Sequence, residues 1–287
     1  MFNAVSASAM REFVRRASFP ILLGWLLAAP PAMADLMLHP TRLVFEKNQR
    51  AAQVELINNG SESATYRISL VNRRMGEDGE FIAITAPGPG EQFADAMLVF
   101  SPRQVTLAPG SAQTVRVMVR RPASLANGEY RSHLLFEKQP EPGAASSVEA
   151  QGQGQQQIGI VLNVLLGASI PVIVRQGDTS ATVALSHLAL QRTADGHPAL
   201  ALQIDRTGTR SVYGDLRATF TPAGGAEAVI ARAGGMSVYT PNPMRRTLLP
   251  VTASAATTLA HGTLRVTYRE RPDAGGKLLA EATLDLP

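Results

Sequence analysis

The sequence predicts an all-β protein made of two sandwich domains. Short segments in which apolar and polar residues alternate recur along the chain, and turn residues such as Gly, Pro, Asn and Asp separate them. No segment of the first half keeps a helical period over 11 residues. The chain has 287 residues, of which 45% are apolar, so each of two domains can form a hydrophobic core.

The first half contains the better-defined strands. Val115, Val117 and Val119, for example, occupy one face of a strand whose other face is polar. Pro40 places the first strand at a sheet edge or bulge, because proline has no N–H to donate. Strands are predicted at residues 36–45, 52–56, 66–70, 81–85, 96–100, 114–120 and 130–138. Together with a long segment at 158–174 they match the set of about seven strands in an immunoglobulin-like sandwich.

From about residue 176 the same pattern repeats and predicts a second, slightly smaller sandwich. Its strands are predicted at residues 181–190, 199–205, 212–220, 226–231, 236–239, 262–268 and 277–286. The predicted domains are therefore residues 35–175 and residues 176–287.

Residues 1–34 have the organisation of a secretory signal peptide. A basic region precedes an apolar stretch at 19–29, and a small-x-small cleavage sequence ends at Ala34. The basic residues are Arg11, Arg15 and Arg16. We expect export with cleavage near Ala34, and Met1 and Met10 are both candidate translation starts. A retained membrane anchor is the other interpretation, although the apolar stretch is short for a bilayer span.

Composition and motifs argue against several classes of function. The formal net charge is +4, of which the first 34 residues contribute +2, so the remainder lacks the strongly basic footprint of a nucleic-acid-binding protein. There is no cysteine, which excludes thiol catalysis and cysteine metal sites. The five histidines lack metal-ligand spacing, and neither G-x-S-x-G nor H-E-x-x-H occurs. We therefore expect no enzyme, no metal and no cofactor.

Two adjacent segments, 139–157 and 158–174, differ from the rest of the chain. The first is rich in Gly, Pro and Gln and predicts a mobile loop. In the second, alternate apolar residues form one face of a strand that would span about 55 Å at ~3.3 Å per residue. That face starts with Ile158, Ile160, Leu162, Val164 and Leu166.

Two interpretations of this long strand stay open on the pattern alone. It is either a buried core strand beside a flexible loop, or a strand that projects from its domain. A long apolar strand with an exposed edge favours association. In the second case it would pair with a partner's sheet, where main-chain hydrogen bonds give affinity and alternate side chains fill pockets.

Four stretches resemble, in the same order, the first domain of the periplasmic chaperones of the chaperone–usher pilus pathway. They are residues 40–45 with 54–59, residues 100–103 with 107–110 and 113–116, residues 125–136, and residues 170–175. The second domain resembles the family more loosely, at 213–216 and 262–266. The resemblance implies two immunoglobulin-like domains arranged as an L with a cleft between them.

The resemblance also implies a function. A chaperone of this family binds, folds and caps pilus subunits by donor-strand complementation, here with residues 158–166, and delivers them to an outer-membrane usher. The expected compartment is the periplasm, and the expected partners are pilus subunits and the usher. When the strand is empty, a self-capping dimer or oligomer is a further expected state.

In this family an arginine and a lysine hold the C-terminal carboxylate of the subunit in the cleft. The arginine corresponds to Arg42, whose planar guanidinium suits a carboxylate. The lysine position falls on Pro171, and Arg131 and His133 on the neighbouring strand are candidate helpers. Arg175 matches an arginine of the domain junction. Since Arg131 stands where the acidic partner of that arginine is expected, the ion pair should be absent or rewired.

Two other functions are considered. An exported, two-domain adhesin-like or structural protein of the cell surface is the alternative, and it would bind a glycan or protein through its loops. It would be found on the surface, whereas a chaperone would be soluble in the periplasm and would co-purify with a subunit. A hydrolase is disfavoured because the sequence contains no catalytic constellation.

Overall fold

The structure confirms the prediction of an all-β protein with two sandwiches. The computed structural model describes residues 36–140, 167–252 and 259–287, and Ala34–Pro287 form one compact unit. Within the described ranges the helical residues belong to two 3₁₀ turns, Asp95–Met97 and Pro272–Ala274. None of these residues form a helix long and apolar enough to cross a membrane.

The described residues of the first sandwich form ten strands in two sheets. They are β1 (Leu36–His39), β2 (Leu43–Phe45), β3 (Ala51–Asn58), β4 (Ala64–Met75), β5 (Phe81–Ile84), β6 (Leu98–Ser101), β7 (Gln104–Leu107), β8 (Ala112–Val119), β9 (Gly128–Lys138) and β10 (Gly167–Gln176). One sheet has the order β1-β3-β8-β6, and the other has the order β2-β10-β9-β4-β5 with β7 paired to β4. This pairing is that of an immunoglobulin-like sandwich. Phe45, Leu56 and Phe136 are fully buried between the sheets.

In the second sandwich, seven strands are described within residues 176–252 and 259–287. They are β11 (Ala181–Arg192), β12 (Pro198–Gly208), β13 (Val212–Pro222), β14 (Ala228–Val238), β15 (Met244–Pro250), β16 (Gly262–Glu270) and β17 (Leu278–Leu286). Its sheets have the orders β11-β12-β15 and β14-β13-β16-β17. Ile204, Leu264 and Tyr268 lie at the centre of the buried cluster between them.

The first predicted strand, at 36–45, is in fact two strands in different sheets. β1 pairs antiparallel with β3, whereas β2 pairs parallel with β10. Pro40 lies in the connection, where the missing N–H of proline leaves no hydrogen bond unmade. The chain therefore changes sheets at the point where the sequence predicted a bulge or an edge.

Two other strand predictions need correction in the second half. The segments predicted separately at 226–231 and 236–239 form the single strand β14, whose pairing with β13 is irregular near Gly214. β15 was not predicted, and it pairs along its whole length with β12.

β10 contributes side chains to both hydrophobic clusters. Ile170, Val172 and Val174 are buried in the first cluster, whereas Ile173, on the opposite face of the strand, is buried in the second. Successive side chains of a strand point to opposite faces of the sheet. The outer face of this sheet is therefore the one that the second sandwich covers.

Candidate functional site

Arg42 lies immediately before β2, on the side of the first sandwich that faces the second. Its guanidinium carbon is 4.1 Å from the centroid of the Tyr213 ring, in a cation–π arrangement. The Nε and Nη1 atoms of Arg42 are buried and have no hydrogen-bond partner in the described part of the chain. Two N–H donors of Arg42 are therefore left without an acceptor among the described residues.

A cavity of about 560 Å³ surrounds this guanidinium, and both sandwiches line it. Arg210 and Arg271 lie in the same cavity. Arg271 forms an ion pair with Asp215 at 3.3 Å. Arg210 forms no ion pair among the described residues, and its Nε is buried without a partner. Two arginines with unused N–H groups therefore line one cavity.

Arg210 was not predicted as a site residue. It lies in the turn between β12 and β13, in the sequence Thr207-Gly208-Thr209-Arg210. A basic residue in a polar turn gives no local signal of function. Only the packing of this turn against the first sandwich brings Arg210 into the cavity with Arg42.

Pro171 lies between Arg42 and His133 across three neighbouring strands. On one side, Pro171 is paired in register with His133 of β9. On the other side, Val172 is paired with Leu43 of the parallel strand β2, so Pro171 lies beside Arg42. A lysine at position 171 would therefore stand next to Arg42. Proline leaves this position without a hydrogen-bond donor.

Arg131 and His133 are buried on the same sheet, but neither lines the cavity that contains Arg42. Arg131 lies 4.2 Å from the centroid of the Tyr239 ring and donates through Nη2 to the Arg73 carbonyl oxygen at 3.0 Å. Burial, with the charges of Arg131 and Arg73, lowers the pKa of His133 to about 3. His133 is thus a neutral side chain at neutral pH, and its ring packs edge-on against Phe81.

Arg175 makes an ion pair with Glu129, two residues before Arg131 on β9. Its Nε lies 3.0 Å from Glu129 Oε2, and its Nη1 contacts Glu46. The same carboxylate of Glu129 accepts a 3.0 Å hydrogen bond from the Ser211 N–H in the second sandwich. Sequence reasoning placed the strand start at Tyr130 and so overlooked Glu129, which the structure shows as the second residue of β9.

β10 has an open edge at its N-terminal end. Every residue from Gly167 to Gln176 is paired with β9 on one side. On the other side, within the described residues, only Val172, Ile173 and Val174 are paired, with β2. Within the part of the chain that the structure describes, the backbone from Gly167 to Pro171 therefore has no strand partner along this edge.

The predicted donor residues lie outside the described residues. These are Ile158, Ile160, Leu162, Val164 and Leu166. The predicted loop at 139–157 also lies outside them from residue 141 onward. Among the residues that the structure does describe, no group of acidic, histidine or cysteine side chains could hold a metal ion.

Comparisons with known proteins give structural matches only. No protein-family model matches the chain, and no curated protein does. The chain is similar to the class 5 fimbriae chaperone CfaA, with 13% identity, a TM-score of 0.41 and coverage of 88% of this chain and 99% of that one. It is also similar to the Pseudomonas aeruginosa CupB2 chaperone, with 12% identity, a TM-score of 0.40 and coverage of 87% of this chain and 99% of that one. A third similar structure is the Salmonella enterica SafB chaperone in complex with SafA pilin. The identity is 15%, the TM-score is 0.40, and the match covers 88% of this chain and 97% of that one.

Proposed function

We propose that this protein is a periplasmic chaperone that binds, folds and caps pilus subunits by donor-strand complementation and delivers them to an outer-membrane usher. The open edge of β10 is the observation that carries the proposal. Between Gly167 and Pro171 its backbone is paired with β9, and no described strand pairs with the other side. A partner that lacks a strand can add its sheet to such an edge, which is β-augmentation.

The sequence pattern supports the same strand as the donor. The row from Ile158 to Leu166 has the same parity as Ile170 and Val172, which are buried in the first core. One end of the strand would therefore be fixed by its own domain, and the other would present a row of apolar side chains. Each of these side chains contributes about 1.5–3 kcal/mol when buried, before the costs of association.

The cavity around Arg42 supports an anchor for the C-terminal carboxylate of the subunit. Two nitrogens of Arg42 are buried without partners in the described residues. We propose that Arg210 supplies the second cation, in place of the lysine that Pro171 replaces, because Arg210 lines the same cavity. Arg131 and His133 are weaker candidates, since they do not line the cavity and His133 is neutral at neutral pH.

The proposal includes export and a division into domains. Residues 1–34 would be a signal peptide removed near Ala34, residues 35–175 the first domain and residues 176–287 the second. Mass spectrometry of protein recovered from a periplasmic extract should identify an N-terminus at or near Asp35. An intact N-terminus at Met1 or Met10 would contradict cleavage.

The donor strand is tested by co-expression with a pilus subunit gene that neighbours this gene. Leu162→Glu combined with Val164→Glu should abolish accumulation of the subunit in the periplasm, because charged side chains cannot fill apolar pockets. Val161→Glu combined with Leu165→Glu is the matched control on the opposite face and should leave accumulation intact. Equal accumulation with both double variants would refute the assignment of the donor row.

The neighbourhood of the gene tests the pathway itself. An adjacent usher gene and subunit genes are expected. Their absence, together with recovery of the protein from the cell surface, would favour the adhesin-like alternative.

An empty donor strand is an aggregation hazard. We therefore propose that the free chaperone protects it in a self-capped dimer or oligomer. Light scattering should give the mass of a monomer for Leu162→Glu combined with Val164→Glu and a larger mass for the unmodified protein.

A further inference from the structure

A groove lined with basic side chains lies where three segments of the chain meet. Residues 47–50 follow β2, residues 118–121 end β8, and residues 175–178 join β10 to β11. The groove has a volume of about 840 Å³. It is separate from the cavity that contains Arg42, and of its lining residues only Arg175 is shared with that cavity.

Four of the five cations of this groove have no acidic partner among the described residues. Lys47, Arg50, Arg120 and Arg121 line it, and Asp178 is the one acid among its lining residues. None of these four cations forms an ion pair among the described residues. Without Arg175, which is paired with Glu46 and Glu129, the groove has four basic side chains and one acidic side chain, a formal excess of three positive charges.

Some arginines elsewhere on the surface are compensated by acidic partners. Arg265 forms two hydrogen bonds with Glu281 on the neighbouring strand. Arg74 forms two with Glu91. Others, such as Arg217 and Arg232, form no ion pair among the described residues, so the feature of the groove is that four unpaired cations line one concave surface with a single acid.

The backbone holds one of the cations in position. Arg121 donates through Nη1 to the Gln49 carbonyl oxygen at 2.9 Å and through Nη2 to that of Phe45 at 3.3 Å. Its Nε is buried without a partner in the described residues. Burial, together with the charge of Arg50, lowers the pKa of Arg121. Like charges are therefore fixed close together, and a concave surface of one sign concentrates anions.

We propose that this groove binds an extended acidic segment of a partner protein. Guanidinium groups hold carboxylates through paired N–H donors. The groove is concave and has few apolar side chains, so it suits a polypeptide segment better than a membrane surface. The chain as a whole carries a small net charge, which does not suit a nucleic acid. The inference does not depend on the function proposed above.

The test measures binding of a fluorescein-labelled hexaglutamate peptide to the full protein by fluorescence anisotropy. Saturable binding that weakens with ionic strength is expected, because salt screens exposed charges. Arg50→Glu combined with Arg120→Glu should weaken it about tenfold or more. Arg50→Lys combined with Arg120→Lys should retain most of it. Circular dichroism of each variant checks the fold.

Arg217→Glu combined with Arg232→Glu is the matched control. These two arginines are exposed and are paired in register on β13 and β14, so the control makes the same charge change on another cationic surface. Binding should be unchanged in this variant. Equal loss in both charge-reversed variants would overturn the proposal, since attraction would then be a property of the whole molecule. Groove-dependent binding to phosphatidylglycerol vesicles without binding to the peptide would overturn it as well.

Discussion

Replacement of Glu129 by alanine should destabilise the protein more than any comparable change in an exposed ion pair. The Glu129 side chain is fully buried, and the side chain of its partner Arg175 is 12% exposed. Glu129 also accepts hydrogen bonds from the Ser211 N–H at 3.0 Å and from the Thr240 hydroxyl at 3.4 Å. Three donors would thus lose their acceptor in one substitution.

The expected loss in the free energy of unfolding is about 3–5 kcal/mol, the usual cost of removing one member of a buried pair. The Ser211 N–H alone accounts for ~1–3 kcal/mol when it is left buried without an acceptor. Arg175 keeps Glu46, whose side chain is 51% exposed. Because this second ion pair would remain, the charge of Arg175 would not be left without a partner, and we expect a loss near the lower end of the range of about 3–5 kcal/mol.

Urea denaturation followed by far-ultraviolet circular dichroism measures the effect, because the single tryptophan, Trp25, lies in the predicted signal peptide. Glu137→Ala is the matched control on the same strand. Its partner Arg67 is 60% exposed, so its loss should cost no more than about 1 kcal/mol. A difference between the two variants of less than about 1 kcal/mol would refute the reasoning.

Three further predictions follow from the site and the turns around it. Arg42→Ala should weaken binding of a peptide with the C-terminal sequence of the subunit about tenfold or more, and calorimetry should show no loss for the same peptide with an amidated C-terminus. His133→Phe should lose less stability than the unmodified protein as the pH falls from 6.5 to about 3 in urea denaturation series. The reason is that over this range the unfolded state takes up a proton that the folded state excludes; parallel curves would contradict it. Gly79→Ala should cost about 1–2 kcal/mol in urea denaturation, because Gly79 has a φ of +91°, and an unchanged midpoint would contradict that strain.

The alternation of residues was sufficient to predict the all-β class, because it reports which face of a strand is buried. It could not predict which sheet a strand joins. β1 and β2 belong to different sheets although the sequence predicted a single strand at 36–45, because partner choice depends on residues far away in the chain. β15, with Arg245 and Arg246 inside it, lacks clear alternation and is a strand because β12 pairs with it.

Glu129 and Arg210 were not predicted as site residues for a related reason. Glu129 follows the conformationally free Gly128, so the sequence suggested a turn where β9 has already begun. Arg210 lies in a turn as well, and only the contact between the sandwiches makes it a cavity residue. Side chains of a domain junction act across sequence separations that local patterns do not encode.

β10 connects the junction between the sandwiches to the edge that we propose as the donor edge. Its C-terminal end is fixed by Arg175, which contacts Glu129 and the Ser211 carbonyl oxygen of the second sandwich. Its N-terminal end carries the open edge. Side chains of a strand alternate between its two faces. A shift of the pairing register by one residue would therefore replace the row that contains Leu162, on the face presented to a partner, by the row that contains Asn163. A junction that fixes the end of β10 therefore also fixes which side chains the strand would present to a subunit.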